Sequence, residues 1–149
     1  MLFRSAAAEN DYFRETVAPH VDGVHVVYVG ELAHDAKVAL LGGARAMLYP
    51  VQAPEPFGLV LPEAMACGTP VAAIGIGAVP ELVEPDVSGG VFASLDQMVE
   101  GLPRVCALDR RRVRASAEAR FGVDRVVESH EQAYRELSVS RRERAASRD

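Results

Sequence analysis

The segment at residues 46–74 has the sequence AMLYPVQAPEPFGLVLPEAMACGTPVAAI, and it decides the fold of this 149-residue chain. Apolar runs at its two ends, residues 46–49 and 70–74, predict short strands buried in a sheet. Between them, two prolines and a glycine at residues 54–58 predict a loop, and residues 59–67 predict a helix that Gly68 ends. A strand, a loop, a helix and a second strand in this order are typical of a parallel sheet.

The flanking sequence continues the alternation of strands and helices. Residues 24–29 (VHVVYV) predict a strand buried on both faces, and residues 90–92 predict a fourth strand. Helices are predicted at residues 10–17, 35–41 and 80–84, from Ser94 with Gln97 as its capping-box partner, and along the amphipathic residues 123–137. The fold class is therefore α/β, with a parallel sheet and flanking helices, in one domain over residues 1–138. Residues 139–149 have no apolar pattern and predict a disordered tail.

Composition excludes several classes of function. Hydrophobic residues make up 49% of the chain and the net charge is −5, which is typical of a globular protein and disfavours nucleic-acid binding. No apolar run is long enough for a signal peptide or a membrane helix, so we expect no stable membrane insertion and a cytoplasmic location. The two cysteines are too few for a disulfide framework or a zinc site, and Cys67 is expected to be a reduced core thiol.

Two carboxylates flank the predicted start of the central helix. Glu55 lies in the loop after a strand, and Glu63 lies eight positions later within the helix. In an open parallel sheet this strand-to-helix edge is where ligands bind. The first amides of a helix are free to donate, and its dipole favours an anion. The segment thus offers acceptors for hydroxyls and donors for a phosphate or sugar oxygen, the donors being the amides of Phe57, Gly58, Leu59 and Val60.

The motif string makes the resemblance to a family specific. The pair Glu55 and Glu63, with PFG between them and EAMACGTPV overlapping the second, resembles the group 1 glycosyltransferases, a retaining family with two Rossmann-like domains. The strings VYVGEL, LLGGARAMLYP and GIGAVPELV extend the resemblance over residues 11–137. It implies a Rossmann-like parallel sheet that is part of the C-terminal, donor-binding domain of a glycosyltransferase B-type fold. The two-glutamate spacing alone would be weak, whereas the whole string in order is specific.

The resemblance also implies roles for individual residues. Glu55 would contact hydroxyls of the donor sugar and is the catalytic candidate, and Glu63 would accept from the ribose. The donor would be a UDP- or GDP-sugar, with no metal site and no cofactor. The remaining residues implied to bind the nucleotide sugar are Phe57, Gly58, Leu59 and Val60 through their amides, and Gly30, Glu31 and Leu32 in the loop along the nucleobase.

Simpler interpretations remain for several residues. Glu55 and Glu63 could be solvated carboxylates, and Phe57 could plug the interface between helix and sheet. The turn GIGAVP at residues 75–80 resembles a dinucleotide-binding motif, but Pro80 replaces the third glycine and disfavours that function. His25 and His130 are expected to be packed, and the arginines at residues 110–112 and 114 to form a solvated helix face.

Part of the family pattern has no counterpart in this chain. The acceptor-binding domain is missing, as are the first two strands of the donor domain with their phosphate-binding arginine and lysine. Only the equivalents of strands 3, 4, 5 and 6 are found in the order 3-2-1-4-5-6. The sheet closes differently, or another chain supplies the missing strands and acceptor domain, or the chain is a truncated product. The predicted function is that of a donor-binding module, inactive alone; the alternative is a noncatalytic fragment or interaction module that retains the fold.

Overall fold

The computed structural model describes the backbone of residues 11–146 and the side chains of residues 11–138. Contacts between Cα atoms divide the chain into two units, Met1–Gly43 and Ala44–Asp149. Each unit is described by itself below.

A three-stranded parallel sheet organises the second unit. Its strands are β1 (Met47–Tyr49), β2 (Val71–Ile74) and β3 (Gly89–Phe92), in the order β1-β2-β3. Three helices lie between and after them: α2 (Val60–Ala66), α3 (Val79–Leu82) and α4 (Leu95–Cys106). The helices α5 (Arg110–Phe121) and α6 (Val123–Ala146) complete the unit. The predicted strands at residues 46–49, 70–74 and 90–92 and the helix at 59–67 are confirmed to within one residue at each end.

The central strand β2 is covered on both faces. Ala72 and Ile74 cluster with Met98 and Val105 of α4, and strand alternation turns Val71 and Ala73 to the opposite face, where they are also buried. A Cβ on Gly89 would lie 2.1 Å from the Val71 carbonyl oxygen, so only glycine lets β3 approach β2 this closely. By contrast β1 is one of the two edge strands of this sheet, and Leu48 is half exposed, so the predicted full burial of β1 is wrong.

Local helix signals act as the sequence predicts. The Ser94 hydroxyl caps α4 by accepting from the Gln97 amide at 3.3 Å, and the Gln97 side chain accepts from the Ala93 amide at 3.2 Å. Against the core, Leu61 and Met65 of α2 are fully buried. Cys67, just after α2, is a free, partly buried cysteine.

The prediction that the arginines at residues 110–112 and 114 form a solvated helix face is wrong for Arg110. Its guanidinium donates to the Ala44 carbonyl at 2.5 Å and to the Thr69 hydroxyl at 2.9 Å, and the residue is partly buried. The neighbouring Arg111 and Arg112 are exposed. One arginine of the run therefore ties the start of α5 to the segment before β1 and to the segment before β2.

The first unit departs most from the sequence prediction. A π-helical turn (Phe13–Val17) leads into a 3-10 turn (Ala18–His20), so the predicted helix at 10–17 continues through Pro19; Asn10 lies outside the described residues. Helix α1 (His34–Gly43) matches the prediction at residues 35–41 and includes the two glycines expected to follow it.

The predicted buried strand at residues 24–29 is wrong. These residues are exposed and form no strand, with Val24 at 78% exposure, and His25 is exposed with them. For residues 24–26 Asp22 supplies a physical reason, since its Oδ1 accepts from the amides of Val24, His25 and Val26 at 2.7–2.8 Å. Amides engaged in this local turn cannot pair with a neighbouring strand.

Helix α6 also differs from its prediction. The apolar side chains predicted to form a buried face are exposed, with Val123 at 78% and Leu137 at 68% exposure, and His130 is exposed too. The His130 Nδ1 donates to the Val126 carbonyl within the helix at 2.8 Å. The helical backbone includes residues 139–146 of the predicted tail; the side chains of 139–149 and the backbone of 147–149 lie outside the described residues.

Candidate functional site

A cavity opens at the carboxyl ends of β1 and β2. The loop that follows β1 forms one wall, with Glu55 and Phe57, and the turn that follows β2 forms the other, with Gly77 and the first residues of α3. Its volume is about 440 Å³. In open parallel sheets ligands bind outside the carboxyl ends of the strands, so the predicted catalytic residue stands at the expected edge.

Glu55 is half buried and is held by groups on both strand ends. Its Oε2 accepts a hydrogen bond from the Tyr49 hydroxyl, which stands at the end of β1. Its carbonyl oxygen faces the Ala78 amide of the next turn at 3.4 Å, a long hydrogen bond. Burial, and then the hydrogen bond and charge of Glu55, raise the pKa of Tyr49 to about 12. The phenol therefore stays protonated at neutral pH and donates to the carboxylate.

Gly77 is a site residue whose role sequence reasoning missed. It adopts a left-handed backbone (φ +61°), and a Cβ there would lie 2.8 Å from the Glu55 carbonyl oxygen and 3.0 Å from the Glu55 nitrogen. The absence of a side chain thus lets the turn after β2 rest on the backbone of Glu55. The glycine in GIGAVP was the available signal, since such a glycine marks a close backbone approach.

The start of α2 depends on Gly58. This buried glycine is also left-handed (φ +76°), and its carbonyl accepts from the Leu61 amide at 2.9 Å, which begins the first helical turn. Among the described residues no backbone carbonyl accepts from the amides of Phe57, Gly58 or Leu59. These amides, with that of Val60 at the first helical position, are the donors that the sequence predicts for a ligand.

Glu63 lines a different cavity from Glu55. It is partly buried in a mostly apolar groove of about 480 Å³ between α2 and the end of α5. One of its carboxylate oxygens, Oε2, is shielded from solvent. Phe57 borders both cavities and its side chain is 45% exposed, so it does not plug the interface between helix and sheet. Glu55 and Glu63, which the sequence motif groups together, therefore line two different cavities, and Phe57 borders both.

The remaining predicted binding residues belong to the first unit. Gly30 has a left-handed backbone (φ +63°) with open space around it, Glu31 is exposed, and Leu32 is partly buried. Their position along a nucleobase stays a prediction.

Arg120 fixes the outer wall of the Glu55 cavity. Its guanidinium donates to the carbonyl oxygens of Glu81 and Leu82, the latter at 2.8 Å, which ties α5 to the end of α3. The Glu81 side chain is exposed and lines the cavity. Within residues 11–138, no three acidic, histidine or cysteine side chains gather as metal ligands would.

A parallel sheet with helical crossovers and a cavity at its carboxyl edge that contains the carboxylates of Glu55 and Glu81 defines a Rossmann-like ligand-binding protein. The family model for group 1 glycosyl transferases matches residues 8–121, and the chain belongs to this family. The fold is part of a glycosyltransferase B-type architecture, as the sequence predicts, with β1, β2 and β3 at the expected positions of strands 4, 5 and 6.

Individual relatives agree with this membership. The chain is 33% identical over 103 residues to the D-inositol 3-phosphate glycosyltransferase of Mycobacterium bovis, covering 60% of this chain and 22% of that protein. It is similar to the crystal structure of Anabaena HepE in complex with UDP-glucose (TM-score 0.64, 26% identity, 93% of this chain and 38% of HepE). It is also similar to the sucrose-phosphate synthase of Thermosynechococcus elongatus (TM-score 0.71, 28% identity, 89% and 35%).

These matches also show how much of its relatives' length the chain covers. It spans between about a fifth and two fifths of the length of these relatives. In the part of the chain that the structure describes, no helix combines the length and apolar character needed to cross a membrane.

Proposed function

We propose that this chain binds the donor of a glycosyl transfer. The complete reaction moves a sugar from a nucleoside diphosphate sugar to an acceptor hydroxyl, with retention of anomeric configuration. The main observation in support is the position of Glu55. Its carboxylate accepts a hydrogen bond from the protonated Tyr49 phenol and lines a cavity at the carboxyl edge of the sheet, in a chain of the group 1 glycosyl transferase family. HepE, which this chain resembles, is known in complexes with UDP and with UDP-glucose.

The two cavities suit the two ends of such a donor. Glu55 accepts hydrogen bonds from the sugar hydroxyls, near the carbon where charge develops. Glu63, in the adjacent groove, accepts from the ribose hydroxyls. Between them the amides of Phe57, Gly58, Leu59 and Val60 donate to the diphosphate, whose negative charge grows as it leaves. The resemblance to the family assigns Gly30, Glu31 and Leu32 to the base, which is that of UDP or GDP.

We further propose that the chain alone transfers no sugar. Holding two reactants together can lower a barrier by roughly 7–11 kcal/mol, and these 149 residues span only between about a fifth and two fifths of the length of their relatives. A helix N-terminus carries only about half a positive charge, little against a leaving diphosphate. A second chain that supplies the acceptor domain and the missing strands would complete the site.

Nuclear magnetic resonance titration of the labelled chain with UDP-glucose tests donor binding. We expect amide shifts at Glu55, at residues 57–60 and at Glu63, with a Kd of about 1 mM, which corresponds to only about −4 kcal/mol. Glu55→Gln should weaken UDP-glucose binding more than UDP binding, whereas Glu100→Gln, at an exposed residue of α4, should change neither. Shifts confined to other surfaces would contradict the site.

Steady-state kinetics can distinguish the roles of Glu55 and Glu63 when the chain is part of an enzyme that also has an acceptor domain. Glu55→Gln should lower kcat far more than Glu63→Gln, because Glu55 faces the reacting sugar. Glu63→Gln should mainly raise KM, since the ribose is remote from the reacting carbon. Equal losses of kcat with unchanged KM would overturn this division.

A noncatalytic interaction module is the alternative function. The exposed apolar residues at 24–29 and the half-exposed Leu48 on the edge strand β1 favour it. Failure of the chain to bind any nucleotide sugar, together with capture of a partner through these residues, would establish it in place of donor binding.

A further inference from the structure

We propose that Tyr49 is the positioning residue of the site and holds the Glu55 carboxylate in the orientation that receives the donor sugar. This inference rests on the proposed function and deepens it. Nothing in the motif string singles out Tyr49, which the sequence presents only as the last residue of a short apolar run.

The geometry places Tyr49 where it can act through Glu55. Tyr49 ends β1 and pairs in register with Ala73 of the fully buried β2, so its backbone is fixed by the sheet. Glu55 lies six residues later in a loop whose residues 52–54 are exposed. The hydrogen bond from the Tyr49 hydroxyl to Glu55 Oε2 therefore ties a loop carboxylate to the rigid part of the molecule.

The helix start leaves room for the phenol. A Cβ on Gly58 would lie 3.3 Å from the Tyr49 hydroxyl oxygen, tighter than most contacts of that kind. The Tyr49 hydroxyl thus stands between the carboxylate and the first turn of α2. With Oε2 accepting from the phenol, a sugar hydroxyl is received by Oε1 or by the second lone pair of Oε2.

The state of the phenol suits this task. Burial, followed by the hydrogen bond and charge of Glu55, raises the pKa of Tyr49 to about 12. A protonated phenol donates one hydrogen bond over the whole physiological pH range. It fixes the carboxylate without adding a charge that would compete with the donor.

The contact is tested without a ligand by titrating the chain labelled with ¹³C at the tyrosine ring. In the unaltered chain the Tyr49 signal should titrate with a pKa of about 12. In Glu55→Gln the pKa of Tyr49 should fall toward the ordinary value of 10.0 but stay above it, because burial remains. Glu63→Gln should leave the titration unchanged; an unchanged titration in Glu55→Gln as well would overturn the contact.

The positioning role is tested by comparing two nucleotides. Tyr49→Phe should weaken binding of UDP-glucose about three- to tenfold and leave binding of UDP unchanged, since Glu55 contacts the sugar alone. Tyr134→Phe, at a 66% exposed residue of α6, is the matched control and should change neither. Melting temperatures of both variants show whether the fold is retained.

The possible results distinguish the positioning role of Tyr49 from donor binding by the chain. Equal weakening for UDP and UDP-glucose in Tyr49→Phe means a general structural role, and unchanged binding of both means no role; either result overturns the positioning proposal while donor binding stands. If the unaltered chain binds neither nucleotide, the proposed function fails, and the sugar-directed role fails with it whatever the phenol titration shows.

Discussion

Two short apolar segments, β2 and residues 24–29, occupy opposite environments in this molecule. Val71, Ala72 and Ala73 of β2 are fully buried between two neighbouring strands. Residues 24–29 are at least as rich in β-branched side chains, yet every one of them is exposed. The apolar pattern thus predicts that a segment is suited to burial. Whether the segment is buried depends on neighbouring strands and helices, which the pattern does not specify.

The backbone amides explain how each segment is satisfied. In β2 the Val71 amide donates to the Ser88 carbonyl at 3.2 Å, and on the other side the Met47 amide donates to the Pro70 carbonyl at 2.9 Å. At residues 24–26 the amides donate to the Asp22 carboxylate instead. A buried amide must find a partner, which the sheet provides for β2. The amides at residues 24–26 belong to an exposed segment and are satisfied by a side chain.

The largest expected difference comes from placing a charge in each segment. Val71→Asp should prevent folding of the second unit, since burying an unpaired carboxylate costs several kcal/mol against a total stability of about 5–15 kcal/mol. Val27→Asp, at 57% exposure, should change stability by less than about 0.5 kcal/mol. Circular dichroism and urea unfolding measure both. Loss of folding in Val27→Asp would mean that residues 24–29 are buried in the folded protein.

A smaller difference is expected between two left-handed glycines, one in each unit. Gly77 (φ +61°) lies against the Glu55 backbone, whereas Gly23 (φ +73°) has nothing within 4 Å of a Cβ. Gly77→Ala adds a steric clash to backbone strain and should cost about 2–3 kcal/mol, while Gly23→Ala carries strain alone, about 1 kcal/mol. Urea unfolding followed by amide signals from each unit compares them. Equal losses would show that the contact with Glu55 contributes nothing.

The smallest effect is expected at Asp22 and is local. Hydrogen bonds from the backbone amides of Val26 and Val24, and then from His25, hold the pKa of Asp22 well below its ordinary value of 3.8. The turn is therefore stabilised fully above pH 3.8, and this stabilisation is lost as the pH falls through the lowered pKa. Asp22→Ala should speed hydrogen exchange of the amides at 24–26.

Asp22→Asn provides the matched control, because it keeps an acceptor oxygen without the charge. We expect it to retain part of the protection of these amides at neutral pH. Unchanged exchange in Asp22→Ala would show that the carboxylate does not determine the turn, and the exposure of residues 24–29 would need another cause.

Much of the second unit follows from local pattern alone. The strand at 46–49, the helix at 59–67 with Gly68 after it, and the Ser94 cap all rest on residues close together in sequence, and all three are confirmed. Burial and side-chain partners were predicted less well. Arg110 bonds Thr69, which is 41 residues away, and no helical periodicity distinguishes it from its exposed neighbour Arg111.

By itself the sequence determined the family, the parallel α/β order of the second unit and the position of Glu55 at the sheet edge. These features depend on motif spacing and on apolar periods within some thirty residues. Only the tertiary structure decided that Tyr49 holds Glu55, that Gly77 rests on its backbone and that Glu63 faces a separate groove. Those relations join residues from different strands and helices, and their geometry is set by how the elements pack, which the pattern within each element does not encode.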